Sequence, residues 1–331
     1  MSTSLHARFA EIAVASEEAT FQAIPISDRR RDYLAKTASG APVFLLHDAG
    51  RTKYYPGYSF RNLTVEFQST CRVVADGVSQ VGQFCLVSCD PSVPDLFELF
   101  ISCVCAAVDQ LPESSGTEEL EASLLDVREL FRAFSAPSGR EITGLWGELF
   151  VVCASDSCEQ AMTCWRGAGT ERYDFSSSDL RLEVKSTTQA IRAHAFSLEQ
   201  LVPPPSGRGY VASLLLQVSV NGLGILDLAN QIEGKIAGKP HLRRKLWKNI
   251  GLALGSDFEE GLDMRLDVEF AKRHLAVLAM GEVPQPPVPR DPRVSSVKFT
   301  ADLSGHVAKG QAQELERLRS LFVKPGDGAA S

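Results

Sequence analysis

The sequence predicts an α+β protein organised in two domains, on three observations. Segments with strand-like and helix-like patterning are mixed along the chain without an internal repeat. The 331 residues are enough for two domains of ordinary size. A content of 44% hydrophobic and 23% charged residues is the balance of a soluble globular chain, not of a disordered one or a coiled coil. No apolar run approaches the ~20 residues of a membrane span, and Met1 to Phe9 lacks the basic-then-apolar order of a signal peptide. The eight cysteines all lie between Cys71 and Cys164, many within apolar runs such as Phe100-Ile101-Ser102-Cys103-Val104-Cys105. That placement reads as free core thiols in a reducing compartment, so a cytoplasmic protein with no membrane association is expected.

The first domain is read over residues 1–115. An amphipathic helix is expected at Leu5–Ala19, then strands at Pro42–His47, Leu63–Val74 and Gln83–Ser88, rich in β-branched or aromatic residues. Leu96, Leu99, Phe100, Cys103 and Ala107 recur at helical spacing within 94–110. The stretch Pro112 to Gly116 breaks the chain, with Ser115 as the expected N-cap and Glu118 three residues on. A bridging helix is predicted over 116–137.

The second domain is read over 138–282. It should contain a helix at Arg140–Ala154 and strands at Tyr173, Leu180–Ser186, Ala193–Ser197 and Tyr210–Val220. Helices follow at Gly224–Ile236 and Lys239–Leu254, then strands at Met264–Val268 and His274–Met280. Five prolines between Pro284 and Pro292 read as a stiff linker, and a strand and a helix close residues 283–331.

The net charge of −7 excludes a chain that is a polycation throughout. The distribution is uneven: residues 90–135 carry a net of −8 and residues 186–250 a net of +5. A basic segment in an acidic protein hints at a phosphate-facing surface. A solvated helix face explains it equally well.

Four charged positions stand out against their apolar surroundings. Leu145, Leu149 and Val152 mark a buried helical stripe, and Glu148 sits on it. A carboxylate facing a core needs a cation, a metal or several donors. Gly144 and Gly147 cost a helix roughly 1 kcal/mol each against alanine, which makes sense where another backbone or a ligand comes close. In Leu180-Arg181-Leu182-Glu183-Val184-Lys185-Ser186, strand period puts Glu183 and Lys185 on one face and Leu182 and Val184 on the other. Asp174, between Tyr173 and Phe175, can end one strand of a hairpin whose partner carries Glu183 and Lys185, the turn coming from Ser176 to Asp179.

A helix with an acidic residue, a strand with Asp and a strand with Glu-x-Lys, in that order, resembles the PD-(D/E)XK nuclease superfamily over residues 138–255. The matching residues are Glu148 within Gly144-Leu145-Trp146-Gly147-Glu148-Leu149-Phe150, Asp174, and Glu183-Val184-Lys185. Tyr173 stands where a proline often precedes the Asp. The stretch Leu182 to Thr188, with His194, Phe196-Ser197 and Glu199-Gln200-Leu201, is similar to a bacterial family called PD-(D/E)XK motif proteins. Those proteins are found beside methyltransferase and ATPase genes in restriction and phage-defence islands. The resemblance implies a restriction-endonuclease-like core, a mixed central sheet flanked by helices, and metal-dependent hydrolysis of DNA phosphodiester bonds.

In that reading Mg²⁺, with Mn²⁺ able to substitute, is held by Asp174, Glu183 and the Val184 carbonyl. Lys185 orients or deprotonates the attacking water and stabilises developing charge. Glu148 holds a metal-bound water or a second ion. Gln189, Arg192 and His194 are candidate phosphate contacts, as are Arg243, Arg244, Lys245 and Lys248 on the basic helix. DNA is the implied partner, with a homodimer and ATPase and methyltransferase partners of a defence operon as further implications. The competing readings are a DNA-binding or assembly subunit without turnover, and a scaffold whose basic helix docks an acidic partner.

Other signals are weaker. Cys153, Cys158 and Cys164 match no zinc-pair spacing. Gly222-Leu223-Gly224 lacks the third glycine of a dinucleotide fingerprint, and no phosphate-binding Gly loop with Lys-Ser/Thr is present. Ser186-Thr187-Thr188 has no paired His–Asp arrangement to support acyl transfer.

Overall fold

The computed structural model describes residues 5–14, 20–50, 55–60, 62–133, 141–167, 171–255, 258–289, 291, 293–294, 296–306 and 311–323. The chain forms two compact units: Met1–Ser138 with Arg243–Glu259, and Gly139–Leu242 with Glu260–Ser331.

The first unit begins with α1 (Leu5–Ala10), β1 (Thr20–Pro25), β2 (Tyr33–Lys36), β3 (Pro42–His47), β4 (Tyr58–Phe60), β5 (Leu63–Ala75) and β6 (Val78–Cys89). The strand order is β1-β2-β3-β6-β5-β4, and β1 also pairs in parallel with β5. That extra pairing closes five strands into a small barrel and removes their free edges. The β5–β6 hairpin turns on Asp76 and Gly77, both at positive φ (49° and 77°), as a two-residue type I′ turn requires. A 3₁₀ turn at Pro94–Leu96 leads into α2 (Phe97–Val108), and α3 (Thr117–Ala133) follows. The cap of α3 lies one residue later than the sequence suggests. The Gly116 amide donates to Glu119 Oε2 at 2.9 Å, while Ser115 Oγ donates to the Pro112 carbonyl. The segment from 15 to 19, expected as the end of the first helix, lies outside the described residues.

The chain enters the second unit with α4 (Ile142–Ala154) and α5 (Cys158–Cys164), then β7 (Phe175–Ser176), β8 (Leu180–Thr187), β9 (Ala193–Ser197), β10 (Arg208–Leu215) and β11 (Val218–Leu223). After these come α6 (Ile225–Lys235), α7 (Pro240–Leu254), α8 (Phe258–Asp263), α9 (Val268–Arg273), β12 (Leu275–Ala279), β13 (Lys298–Asp302) and α10 (Gln311–Ser320). Four strands form a mixed sheet in the order β12-β10-β8-β7, parallel between β10 and β8 and antiparallel elsewhere. β9 and β13 pair as a separate ribbon. Phe196, Ala301 and Leu303 from the ribbon and its exit share a core with Val211, Ala276 and Leu278 of the sheet. α10 masks the free edge of β12: Glu314 Oε2 accepts from the Val277 amide at 2.9 Å, and Arg317 donates to the Val277 carbonyl at 2.8 Å.

Several expectations need correction. The run Tyr210–Val220 is two strands, and Met264–Val268 is not a strand. Leu266 makes only isolated bridges to Val218 and Leu223, and Asp267 caps α9 by accepting from the Phe270 amide. Helix α7 starts in the second unit, but from Arg243 onward it belongs to the first. There Leu246, Trp247 and Ile250 are fully buried. Residues 117–133 lie in the first unit.

The two helix glycines have different reasons. A Cβ on Gly147 would collide with Ser186 Oγ and crowd Leu214 and Val184, so this glycine lets β8 lie against α4. A Cβ on Gly144 would meet nothing. In thermal or urea denaturation, Gly147→Ala should therefore destabilise by about 1–3 kcal/mol. Gly144→Ala should stabilise by up to about 1 kcal/mol. Equal effects of the two substitutions would contradict this packing.

Candidate active site

β8 is the strand on which the site is built, because both its faces are used. Val184 and Ser186 face α4 at Gly147. On the other face Glu183 is buried and Lys185 lies beside it, its Nζ 2.8 Å from Glu183 Oε1 and 5.3 Å from the centre of the Phe196 ring. Strand period predicts this separation of faces, and the register Val211↔Glu183 and Ser213↔Lys185 extends it to β10.

β7 stops pairing at Phe175↔Leu182, which leaves the Val184 amide beyond its end. Asp174 fills that gap: its Oδ2 accepts from the Val184 N–H at 2.7 Å. The N–H and C=O of one strand residue point to the same edge. The Val184 carbonyl is therefore directed toward the Asp174 side of β8.

Glu148 is 3% exposed on α4, and both its oxygens take protein donors. Trp165 Nε1 donates to Oε2 at 2.7 Å, and Arg166 Nη2 donates to Oε1 at 2.7 Å. The same Nη2 lies 2.9 Å from Asp174 Oδ1. Arg166 is held in place by the backbone. Trp165 bridges to Phe175 in antiparallel fashion, and the Arg166 amide donates to the Asp174 carbonyl at 2.8 Å. The cation that Glu148 demands is thus Arg166, a residue with no fixed spacing to the motif. Gln200 is the other residue the sequence reading leaves out of the site. Its Nε2 donates to Glu183 Oε1 at 2.6 Å, while its Oε1 accepts from the Ser197 amide. The sequence signal for Arg166 is the unmet requirement of a buried Glu148 for donors, and that for Gln200 is its place in the Glu199-Gln200-Leu201 stretch.

Glu148, Asp174, Glu183 and Lys185 therefore converge, with Arg166 and Gln200 among them. The other candidates do not join them. Arg192 is buried and donates to the Ser213 carbonyl and hydroxyl and to the His274 carbonyl. His194 is buried against Ser213 Oγ at 2.7 Å. Both tie β9 to the sheet instead of facing solvent, because β9 packs over the β8–β10 face that the sequence pattern leaves open. Gln189 is exposed just after β8. Arg243, Arg244, Lys245 and Lys248 lie in the first unit. Arg243 pairs with Asp109 at 3.0 Å, Arg244 donates to the Ala107 carbonyl, and Lys248 pairs with Asp126 at 2.6 Å. The basic run thus meets part of the acidic 90–135 stretch.

Burial first, and then the Asp174 charge, push the Glu183 carboxyl from its ordinary 4.5 to about 8, against the opposing pull of Lys185 and Arg166. Burial, assisted by Arg192 and Lys185, lowers His194 to about 4. Through Glu183 the folded state holds a proton that the unfolded state releases between pH 4.5 and 8, so stability falls as pH rises. Through His194 the unfolded state holds the extra proton between about 4 and 6.5, so stability rises with pH there. The two oppose each other at lower pH, where the lowered His47 acts in the same direction as His194, and the Glu183 effect continues above 6.5. The melting temperature in EDTA should fall from pH 6.5 to 8, and Glu183→Gln should remove the fall. A wild-type melting temperature that rises over this interval contradicts the assignment.

The donor set suits a hard divalent cation. Glu183 Oε2 is buried and has no hydrogen-bond partner among the described residues. Together with Asp174 and the Val184 carbonyl it offers the few oxygens that Mg²⁺ takes before water and substrate phosphate complete its shell. Among the described residues no three His, Cys, Asp or Glu side chains already form a metal-binding group. Arg166 and Lys185 hold the acids in ion pairs instead.

A mixed sheet whose inner strand carries Glu-x-Lys, met by an Asp from the adjoining strand and a Glu from the covering helix, is a restriction-endonuclease-like α+β arrangement. The family model described as "Putative PD-(D/E)XK family member, (DUF4420)" matches residues 6–304, and the chain belongs to that family. No curated protein and no solved structure matches it. No helix among the described residues is long and apolar enough to cross a membrane.

Proposed function

We propose that this chain is a Mg²⁺-dependent deoxyribonuclease that hydrolyses phosphodiester bonds, acting in restriction or phage defence. The observation that carries this reading is the unpartnered Glu183 Oε2, buried in a cluster with Asp174 and Lys185. A buried carboxylate oxygen without a donor is costly to the fold, and a metal ligand has a reason to remain so.

Asp174, Glu183 and the Val184 carbonyl would hold the ion. When bound, it supplies Lewis acidity toward the phosphate and lowers the pKa of an attacking water. The other roles belong to the chain. Gln200 and Lys185 fix the Glu183 carboxylate by donating to Oε1, which leaves Oε2 for the ion. Lys185, with its side chain 21% exposed, is placed to donate to a non-bridging phosphate oxygen and to steady the water. Glu148 has its oxygens on Trp165 and Arg166, so its part is to position Arg166 rather than to ligate directly.

Supercoiled plasmid incubated with the purified chain should be nicked or linearised in Mg²⁺ or Mn²⁺ and remain intact in EDTA. Salt-sensitive DNA binding without cleavage in either metal would select the binding-subunit reading instead.

A further inference from the structure

We infer that Arg166 is the resident cation of this site: its guanidinium occupies the place on Asp174 Oδ1 that the divalent ion takes, and it withdraws to Glu148 when the ion binds. The inference rests on the metal-dependent reading above and deepens it.

Three features of the geometry carry it. A single nitrogen, Nη2, contacts Glu148 Oε1 at 2.7 Å and Asp174 Oδ1 at 2.9 Å, so one positive centre bridges two carboxylates as a metal ion would. Each carboxylate has its other oxygen separately secured. Trp165 Nε1 holds Glu148 Oε2, and the Val184 amide holds Asp174 Oδ2. The Nη2–Oδ1 contact can therefore break without loosening either acid, and Arg166 keeps an anchor on Glu148. Finally, the Arg166 side chain is 19% exposed while those of Glu148 and Asp174 are 4% and 5% exposed. The guanidinium is the member of this trio that has solvent to move into, and the hydrogen bond from its amide to the Asp174 carbonyl keeps its backbone in place as it does so.

Electrostatics gives the exchange its direction. Among the described residues, Arg166 and Lys185 are cations paired with Glu148, Asp174 and Glu183. Adding a dication beside an unmoved guanidinium would put like charges in contact, so release of Arg166 from Asp174 relieves that repulsion. Once released, a guanidinium still anchored on Glu148 presents a planar fork suited to two oxygens of one phosphate. The alternative is a fixed strut that neutralises Glu148 and Asp174 whether or not metal is present.

Metal titration without DNA separates the two roles. Mn²⁺ binding to the metal-free full chain would be measured by calorimetry for wild type, Arg166→Gln and Arg166→Lys. If the ion must displace Arg166, Arg166→Gln should bind Mn²⁺ about 10- to 100-fold more tightly, the cost of one charge-assisted hydrogen bond having been removed. Plasmid cleavage at saturating Mg²⁺ should fall in the same variant. Arg166→Lys, a point charge on a less far-reaching stem, should lie between the two; it carries the comparison if the glutamine variant does not fold. Unchanged or weaker Mn²⁺ binding in a folded variant overturns the exchange and leaves the metal site standing. No Mn²⁺ binding by any of the three proteins overturns the metal site, and the exchange with it.

Discussion

Asp174→Asn and Glu183→Gln should each abolish metal-dependent cleavage, a loss on the order of 10³-fold or more, because each removes a ligand to an ion worth several kcal/mol to the transition state. The isosteric substitutions are chosen with the fold in mind. Asp174 Oδ2 accepts from the Val184 amide, and an asparagine oxygen can still do so, whereas Asp174→Ala would leave a buried N–H unmet at about 1–3 kcal/mol. Glu183→Gln should act in the opposite direction on stability. It removes a buried charge that burial and Asp174 both disfavour, so the metal-free variant should melt higher than wild type near pH 8. Inactive variants with these opposite stability signatures would separate lost chemistry from lost structure. Wild-type cleavage rates in either variant would remove that residue from the site.

Lys185→Ala should lower the cleavage rate by ~10²–10³ while leaving DNA affinity in Ca²⁺ nearly unchanged. The lysine lies 2.8 Å from Glu183 Oε1, and in the proposed reading it would supply a single phosphate contact, a minor part of backbone binding. Its removal also takes away a charge that holds the Glu183 pKa down. The residual activity of the variant should therefore require higher pH than wild type, with the rising limb of its pH–rate profile displaced upward. Equal losses of binding and cleavage, with no displacement of the profile, would make Lys185 an ordinary phosphate contact.

Glu148, Glu183 and Lys185 are legible in the sequence because their signals are local and periodic. The two-residue period of β8 separates Glu183 and Lys185 from Leu182 and Val184, and the 3.6-residue period of α4 puts Glu148 on an apolar stripe. Arg166 was not legible. It reaches Asp174 through an isolated bridge between Trp165 and Phe175, and no spacing rule connects it to the acids it serves. The burial of His194 and Arg192 is hidden from the sequence for a related reason. A strand pattern shows which residues share a face, but not that the β9–β13 ribbon will cover that face.

The partners of the basic stretch are hidden for a different reason. Arg243, Arg244 and Lys248 read as a polycationic helix, but Asp109, Asp126 and the Ala107 carbonyl meet them within the first unit. Composition cannot show that two charged segments far apart in the chain neutralise each other. The barrel was also only partly visible. Its strands β3, β5 and β6 carry β-branched and aromatic residues, whereas β2 has four residues, too few to establish a period.

Anomalous diffraction from crystals soaked in Mn²⁺ tests the central claim most directly. One manganese peak should appear, bounded by Asp174 Oδ1 and Glu183 Oε2, with the Arg166 guanidinium drawn back onto Glu148. Crystals at saturating Mn²⁺ with no peak between those two carboxylates, and with Arg166 still bridging Glu148 and Asp174, would contradict it.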